Sequence, residues 1–556
     1  MIRALATAAV VALALPAAAA AGRFAVGIAP GSSPGRVAAR VERATGGSVG
    51  HEYVRLGALT LRAATARGVE RLRGVAYVER LDARRPLAFT VQDPLADRQW
   101  YLDQIHAFDA WPREPALSPV RVAIIDSGID GDHPEFAGRI AAARSFVDHS
   151  PRSDQQGHGT FVAGVIAAAH DRAGIAGIAF PAQLVVAKVV RREPTISLDA
   201  EVRAIRWAVD TAHADVLNLS FAGLRDPLDP SNDTFSPLEA SAIDYAIRRG
   251  AVVVAAVGNS DDAPQSPWPF AAYPAALPHV LGVSALTREG AVPVFSVRDH
   301  VYNDITAPGK GVLSTFPRGL SRTEGCAEVG YSVCAVDAPG IDRRAFRRGE
   351  GTSFAAPQVA AAAALLLAVR PGLRPEQVTA LLTRTADDMT PALGCDGCTR
   401  FRDPLTGWGR LDIAAAVGRA LDGTLPAPDQ RETNDDAGGR ASTLWGRRGG
   451  TIDATLDFWD DQNDVYRVHL RPRQRLVARL DRAPGGSRLF LWRPGTTRID
   501  STSPALQRRR LATSRLVGGD EQLTYRAPRR RGGWYFLQAK LEEPGAGRYT
   551  LKATKG

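Results

Sequence analysis

Asp126, His158 and Ser353 each stand where their neighbours make a reactive group useful. In Val122-Ala-Ile-Ile-Asp-Ser-Gly-Ile-Asp130 an apolar run ends at Asp126, so the carboxylate can be held nearly dry and can orient an imidazole. In Asp154-Gln-Gln-Gly-His-Gly-Thr160 a glycine flanks His158 on each side, which lets backbone and substrate come close. A helical stretch follows at once, and His158 is the candidate general base. In Glu350-Gly-Thr-Ser-Phe-Ala-Ala-Pro-Gln-Val359 a serine opens an apolar helix, a rigid element whose first-turn amides favour negative charge. Singly these are weak signals, since a strand-terminal Asp is often a cap and a Ser before an apolar run is usually an N-cap. The lipase-type elbow Gly-x-Ser-x-Gly is excluded at Ser353, because Ala355 holds its last position.

Taken together in the order Asp, His, Ser, the segments Asp126-Ser-Gly, His158-Gly-Thr-Phe-Val-Ala-Gly and Gly351-Thr-Ser-Phe-Ala-Ala-Pro resemble the subtilisin family. The resemblance implies a serine endopeptidase acting on polypeptides through an acyl-enzyme on Ser353. It also gives a role to Ala255-Ala-Val-Gly-Asn259, placing the Asn259 amide beside the Ser353 backbone N–H as donors to the tetrahedral oxyanion. By the same resemblance Ser220, Phe221, Ala222 and Gly223, with Ala256 and Gly258, wall the main specificity pocket, and Ala272 lies near its floor. Nothing charged is at that base, so an uncharged or apolar side chain before the scissile bond is expected, while Asp261 and Asp262 would favour a basic one.

The resemblance further implies structural calcium. Asp93, Glu135 and Asp171 fall at matching positions, and oxygen ligands suit a hard cation. No cofactor is expected to be needed for the chemistry. Two positions depart from the common family pattern: Phe354 stands where Met is frequent, and Gln358 where His is usual. Neither is expected to touch the chemistry, and Phe354 would make the site less sensitive to oxidation.

Elements with the right periodicity lie behind these residues. Arg121–Asp126, Leu184–Val190, Asp215–Ser220 and Ala251–Ala256 are near-continuous apolar runs, as in strands buried on both faces, with helical stretches at His158–Ala169, Leu198–Ala212 and Leu238–Arg249. The expected class is α/β, a mostly parallel sheet with helices on both faces over residues 91–424, binding ligands at the carboxyl ends of its strands. Residues 22–90 read as a small α+β unit: a strand at Arg23–Ile28, a helix at Ser33–Thr45, a hairpin over Tyr53–Leu61, a second short helix at Ala66–Leu72 and a strand at Val75–Arg80. It resembles the subtilisin-type propeptide, which implies an inhibitor within the chain itself. A polar, Pro-containing linker covers 425–436, and period-2 segments over 437–556 predict an all-β sandwich. Glu432-Thr-Asn-Asp435, Asn463-Asp-Val-Tyr466, Gly533-Trp-Tyr535 and Gly547-Arg-Tyr549 give that domain a resemblance to the bacterial pre-peptidase C-terminal domain.

A chain of 556 residues with 45% hydrophobic and 23% charged residues has the composition of several globular domains. The net charge of +10 comes from Arg spread along the whole chain, and no nucleic-acid partner is expected. Residues 1–21, with Arg3, an apolar run from Ala4 to Leu15 and a small-residue end at Ala21, read as a secretory signal. A secreted monomer without stable membrane insertion is therefore expected. Export permits disulfides among Cys326, Cys334, Cys395 and Cys398, and of three connectivities the local one, Cys326 with Cys334 and Cys395 with Cys398, is expected. A four-thiolate zinc site is the rival, ranked lower because only the second pair has two-residue spacing.

Overall fold

The computed structural model describes residues 22–80 except 54, 55 and 64, residues 91–320 except 112–118 and 192–194, residues 342–423, and residues 431–556 except 432, 433, 440, 445, 447, 460, 500–503 and 531. The expected signal (1–21), Cys326 and Cys334 lie outside the described residues. The chain divides into two compact units, residues 1–88 and 89–556.

In the first unit four strands pair antiparallel in the order Ser48–Tyr53, Ala58–Ala63, Gly22–Ile28, Val75–Arg80. The helix Pro34–Thr45 begins with proline, which is pre-set for the first helical position, and ends at Gly46 in the left-handed conformation. Its buried stripe of Val37, Ala38 and Val41 packs on Val26, Leu59 and Leu61 of the sheet. The second helix expected at Ala66–Leu72 is only a 3-10 turn, Val69–Arg71. Gly68 sits at φ 85°, outside the helical region, and cuts the segment too short to hold an α-helix.

The second unit is built on a seven-stranded sheet in the order Ile305–Pro308, Val280–Leu286, Val252–Ala256, Val216–Leu219, Arg121–Asp126, Gln183–Lys188, Ile140–Ser145. Every neighbouring pair is parallel. Along Arg121–Asp126 the side chains alternate between two cores: Val122 and Ile124 join helices His158–Ala167 and Thr352–Val369, while Ala123 and Ile125 join helices Leu198–Asp210 and Pro237–Arg248. That two-sided burial is why the strand sequences are apolar without alternation. Three strands escaped the sequence reading for visible reasons. Val280–Leu286 is interrupted by Gly282 and Ser284, Ile305–Pro308 is only four residues long, and Ile140–Ser145 is a half-buried edge carrying Arg144. The 18-residue helix Thr352–Val369 is long and apolar enough to cross a membrane, but it is buried in the core of this unit.

Residues beyond the linker form two five-stranded sheets. One runs Ser442–Thr443, Asn463–Leu470, Gly533–Leu541, Ser487–Trp492, Arg510–Thr513, and the other Gly449–Asp457, Ala546–Lys555, Arg475–Asp481, Asp520–Arg526, Arg515–Val517. They pack face to face around Tyr466, Leu489 and Leu537 from one and Leu456, Leu476 and Leu551 from the other. The Tyr466 and Tyr549 hydroxyls hydrogen-bond between them at 2.6 Å. Asn434 and Asp436, read as the end of the linker, are buried in this assembly, where Asp436 accepts from the backbone N–H of Ala437 and Ile499.

Candidate active site

Three adjacent strands deliver the site. Asp126 ends Arg121–Asp126, Ser220 follows Val216–Leu219, and Asn259 lies three residues past Val252–Ala256. Their shared carboxyl edge is where an open parallel sheet leaves a crevice. The antiparallel ribbon Lys310–Thr315 with Phe346–Glu350 then brings the chain to Ser353 at the head of the core helix.

The Asp126 carboxylate is almost fully buried and accepts from His158 Nδ1 at 2.9 Å. A carboxylate can only accept, so Nδ1 carries the proton and Nε2 is left as the base. Burial disfavours the imidazolium, but the charge of Asp126, its hydrogen bond and the more distant Asp154 outweigh that and raise the His158 pKa above its ordinary 6.5. The glycines flanking His158 answer to packing inside the protein. A Cβ at Gly157 would lie 2.3 Å from the Phe316 ring, and one at Gly159 would lie 2.1 Å from the Gly128 carbonyl oxygen.

Ser353 Oγ donates to the Ser220 carbonyl oxygen at 3.1 Å, and Ser220 Oγ donates to the Ser353 carbonyl oxygen at 2.9 Å. The Ser353 hydroxyl thus donates to a backbone carbonyl here rather than to His158, within the ordinary looseness of a site without substrate. Asn259 is oriented from the other side. Its Oδ1 accepts from Thr352 N and Thr352 Oγ1, both at 3.0 Å, which leaves the NH2 group as the outward donor. That Nδ2 would lie 3.3 Å from a Cβ placed on Gly351, and Ser353 N 3.8 Å from it, so the two nitrogens lie close to each other beside Gly351.

The residues expected to wall the pocket also converge. Gly258 has φ 105°, and a Cβ there would meet Ala272 Cβ at 3.1 Å, Val297 at 3.6 Å and Ala222 Cβ at 3.8 Å. Gly223 pairs with Tyr273 through two backbone hydrogen bonds of 2.8 and 2.9 Å. Ser220 hydrogen-bonds to Ser353, Ala256 is buried in its strand, and Phe221 is half-buried against the second core. Val297 was missed, having no motif around it.

Phe354 requires a correction. Its ring packs on the His158 ring at 5.5 Å and on Phe161 at 4.2 Å, so it contacts the imidazole directly. Gln358 is buried and donates to the carbonyl oxygens of Pro308 and Phe354. Around the pair lies a network the sequence reading did not isolate. The buried Asp154 accepts from Ser127 Oγ, Gln156 N and Gly157 N on one oxygen and from Thr160 N and Oγ1 on the other. Ser127 Oγ in turn accepts from Gly159 N at 2.9 Å. Lys188, whose Nζ donates to the carbonyl oxygens of Ser127 and Ser153, is buried beneath them. A single Lys in the apolar run Leu184–Val190 was the signal available for it.

Asp93, Glu135 and Asp171 lie around the loop after the His158 helix, although their carboxylate oxygens do not all come within 4.8 Å of one another. Asp93 Oδ1 accepts from Asp171 N and Arg172 N, and Glu135 Oε1 accepts from Ile175 N. Glu135 Oε2 is buried without a partner, and burial, with Asp171 and Asp93 adding to it, pushes its carboxyl up to about 9. A donor set of carboxylates with one orphaned buried oxygen fits a hard cation. Another group, His106, Asp387 and Asp412, brings three ligand atoms within 4.8 Å of one another, with Asp387 also paired to Arg410. Cys395 and Cys398 are joined as a disulfide, which takes two thiolates from the zinc alternative.

A hydroxyl, an imidazole held by a dry carboxylate, and paired N–H donors on a parallel sheet place the protein in the class of serine hydrolases. The comparisons with known proteins narrow that class. The model of the subtilase family matches residues 118–409, and the chain belongs to that family; it is a serine endopeptidase. It is 31% identical over 352 residues to fervidolysin of Fervidobacterium pennivorans, covering 60% of this chain and 45% of that protein. It is 30% identical over 335 residues to subtilisin E of Bacillus subtilis strain 168, covering 60% of this chain and 76% of the relative. With thermitase of Thermoactinomyces vulgaris the identity is 29% over 305 residues, 54% of this chain and 93% of the relative.

Proposed function

We propose that the protein is a secreted endopeptidase, made as an autoprocessed zymogen, that cuts polypeptides after uncharged or apolar side chains. The observation that carries the reading is the His158 Nδ1 to Asp126 hydrogen bond of 2.9 Å beside a helix-opening Ser353. Ser353 Oγ attacks the peptide carbonyl while His158 Nε2 takes its proton. The carbonyl oxygen becomes an oxyanion held by Asn259 Nδ2 and Ser353 N. Collapse breaks the C–N bond, and His158 returns the proton to the leaving amine. Water, activated by the same nitrogen, then releases the acyl group and regenerates the hydroxyl. Loss of one oxyanion donor costs about 10²- to 10³-fold in kcat, a figure that itself comes from a subtilisin. The apolar preference is supported by Ala222, Ala272 and Val297, the side chains nearest a Cβ placed on Gly258.

Residues 22–90 act in this reading as folding aid and inhibitor until they are cut away, and the domain at 437–556 serves substrate or surface binding. Asp93, Glu135 and Asp171 would hold calcium, which neutralises three mutually repelling carboxylates and ties the loop down. Expression of wild type beside Ser353→Ala, followed on a gel, tests the scheme. Self-cleavage near residues 88–92 and casein hydrolysis in wild type alone are expected, and equal processing in both without casein hydrolysis would sink it. For calcium, the melting temperature should drop on addition of chelator, and an unchanged one removes the ion.

A further inference from the structure

The C-terminal sheets reach the rear of the proposed specificity pocket through one side chain. Arg498 donates to the Tyr302 hydroxyl and to the Ala276 carbonyl oxygen, and its Nε stands 4.0 Å from Asp436 of its own domain. Its guanidinium lies over the rings of Phe235 and Tyr302, 5.8 Å from each centroid, and it also interacts with the buried Tyr273 hydroxyl. These partners back the pocket wall. Tyr273 is bonded through its backbone to Gly223, and its ring packs on Phe235 at 5.5 Å. Ala272 N donates to Val257 O at 2.9 Å, one residue from Gly258. Arg225 also stands against the Tyr302 ring, 4.8 Å from its centroid, paired with the buried Asp299 at 2.9 Å and two residues beyond Gly223. A planar fork that stacks and hydrogen-bonds at once loses little entropy per bond formed and sets its partners firmly.

Resting on the proposed reading of residues 220–223 and 272 as pocket wall, we infer that Arg498 is a positioning residue for substrate selection. The domain beyond the linker therefore sets the pocket's width rather than only carrying the enzyme to a surface. The contacts described for Arg498 are to Phe235, Tyr273, Ala276, Tyr302 and Asp436, so its loss should move binding of large side chains and spare the chemical step.

The test uses the full processed protein, wild type and Arg498→Met, on three peptidyl p-nitroanilides with Phe, Leu or Ala before the scissile bond. In the variant KM for Phe and Leu should rise and the Phe to Ala ratio of kcat/KM should fall about tenfold, the lower end of what fit in an apolar pocket is worth. The kcat for the Ala substrate and the pH profile should stay unchanged. Phe235→Leu, at a half-exposed position that tolerates change, should shift the ratio the same way and covers the case of a poorly folding first variant. A lower melting temperature with the Phe to Ala ratio kept within about twofold, a structural role only, would overturn the inference. Wild type that cleaves none of the three peptides defeats the pocket reading and this inference with it, whereas cleavage by wild type with an unaltered ratio in both variants defeats the inference alone.

Discussion

At His158 two opposed influences meet. Burial alone would hold the imidazole neutral, but the Asp126 carboxylate at 2.9 Å favours the charged form and prevails, so the pKa is raised above 6.5. A base must be neutral to accept the Ser353 proton, so the acid limb of kcat/KM should have its midpoint above 6.5. The same shift favours the folded state fully below 6.5, and that contribution is lost as pH rises through the raised value. The enzyme is thus active where this one group stabilises it least. In Asp126→Asn, burial is left without its counterweight and the amide can donate to Nδ1, which favours the wrong tautomer. The acid limb should move down and kcat should fall about 10⁴-fold; a pH profile of both proteins on one p-nitroanilide reads both effects. A limb that stays in place would mean that another group governs it.

Helices Leu198–Asp210 and Pro237–Arg248 pack side by side on the face of the sheet away from His158, and each buries a carboxyl there, Glu201 and Glu239. Burial, with Glu239 adding to it, pushes Glu201 up to about 9, and burial pushes Glu239 up to about 6, from an ordinary 4.5 for both. Both folded-state values lie above the unfolded ones. The contact therefore stabilises fully below about 4.5 and loses that contribution as pH rises towards 9. Glu201→Gln keeps a hydrogen bond and removes the proton dependence, so it should melt higher than wild type at pH 9 and equally near pH 4.5. A melting difference independent of pH would show that the pair does not share a proton in this way. These helices were legible in outline because their apolar stripes have helical spacing. That the one buried carboxyl of each, Glu201 and Glu239, would meet was not, since the meeting depends on how the two elements cross.

The catalytic sheet and the C-terminal sheets are joined by aromatic and charged groups in equal measure. Trp408 packs on Phe458 at 5.1 Å and on Trp459 at 6.1 Å, while Arg384 stacks over Trp459 at 4.4 Å and pairs with Asp457. A cavity of about 130 Å³ between them is lined by His279, Asp304 and Arg402 on one side and by Asp435 and Gln462 on the other. Burial raises the Asp457 pKa and Arg384 holds it back. Removing one partner of a fully buried pair costs about 3–5 kcal/mol. Here 17% and 8% of the two side chains remain exposed, so Arg384→Ala should cost less than that range. Amide hydrogen exchange should quicken over 457–462 and stay unchanged over 121–126; equal protection in both proteins would show that the contact does not hold the domains together.

What the sequence by itself determined was the local chemistry and the class of fold. Residues 122–125 are apolar throughout because both their faces are covered, and a run of that kind followed by Asp126 needs no partner to be recognised. His158 between glycines and Ser353 before an apolar helix carry their meaning in adjacent residues. Tertiary structure decided what depends on distance across the chain. Phe354 packs on His158 because the core helix and the His158 helix pack together, and Asp154, Ser127 and Lys188 became one network only when the loops holding Asp154 and Ser127 met the end of the strand that carries Lys188. Val297, Tyr302 and Arg498 stand in segments without any motif, and Arg498 meets Tyr302 only through long-range packing. Hydrophobic period and local motif act between neighbours in sequence, whereas the shape of a pocket is set by side chains tens to hundreds of residues apart, and only the folded chain fixes which of those meet.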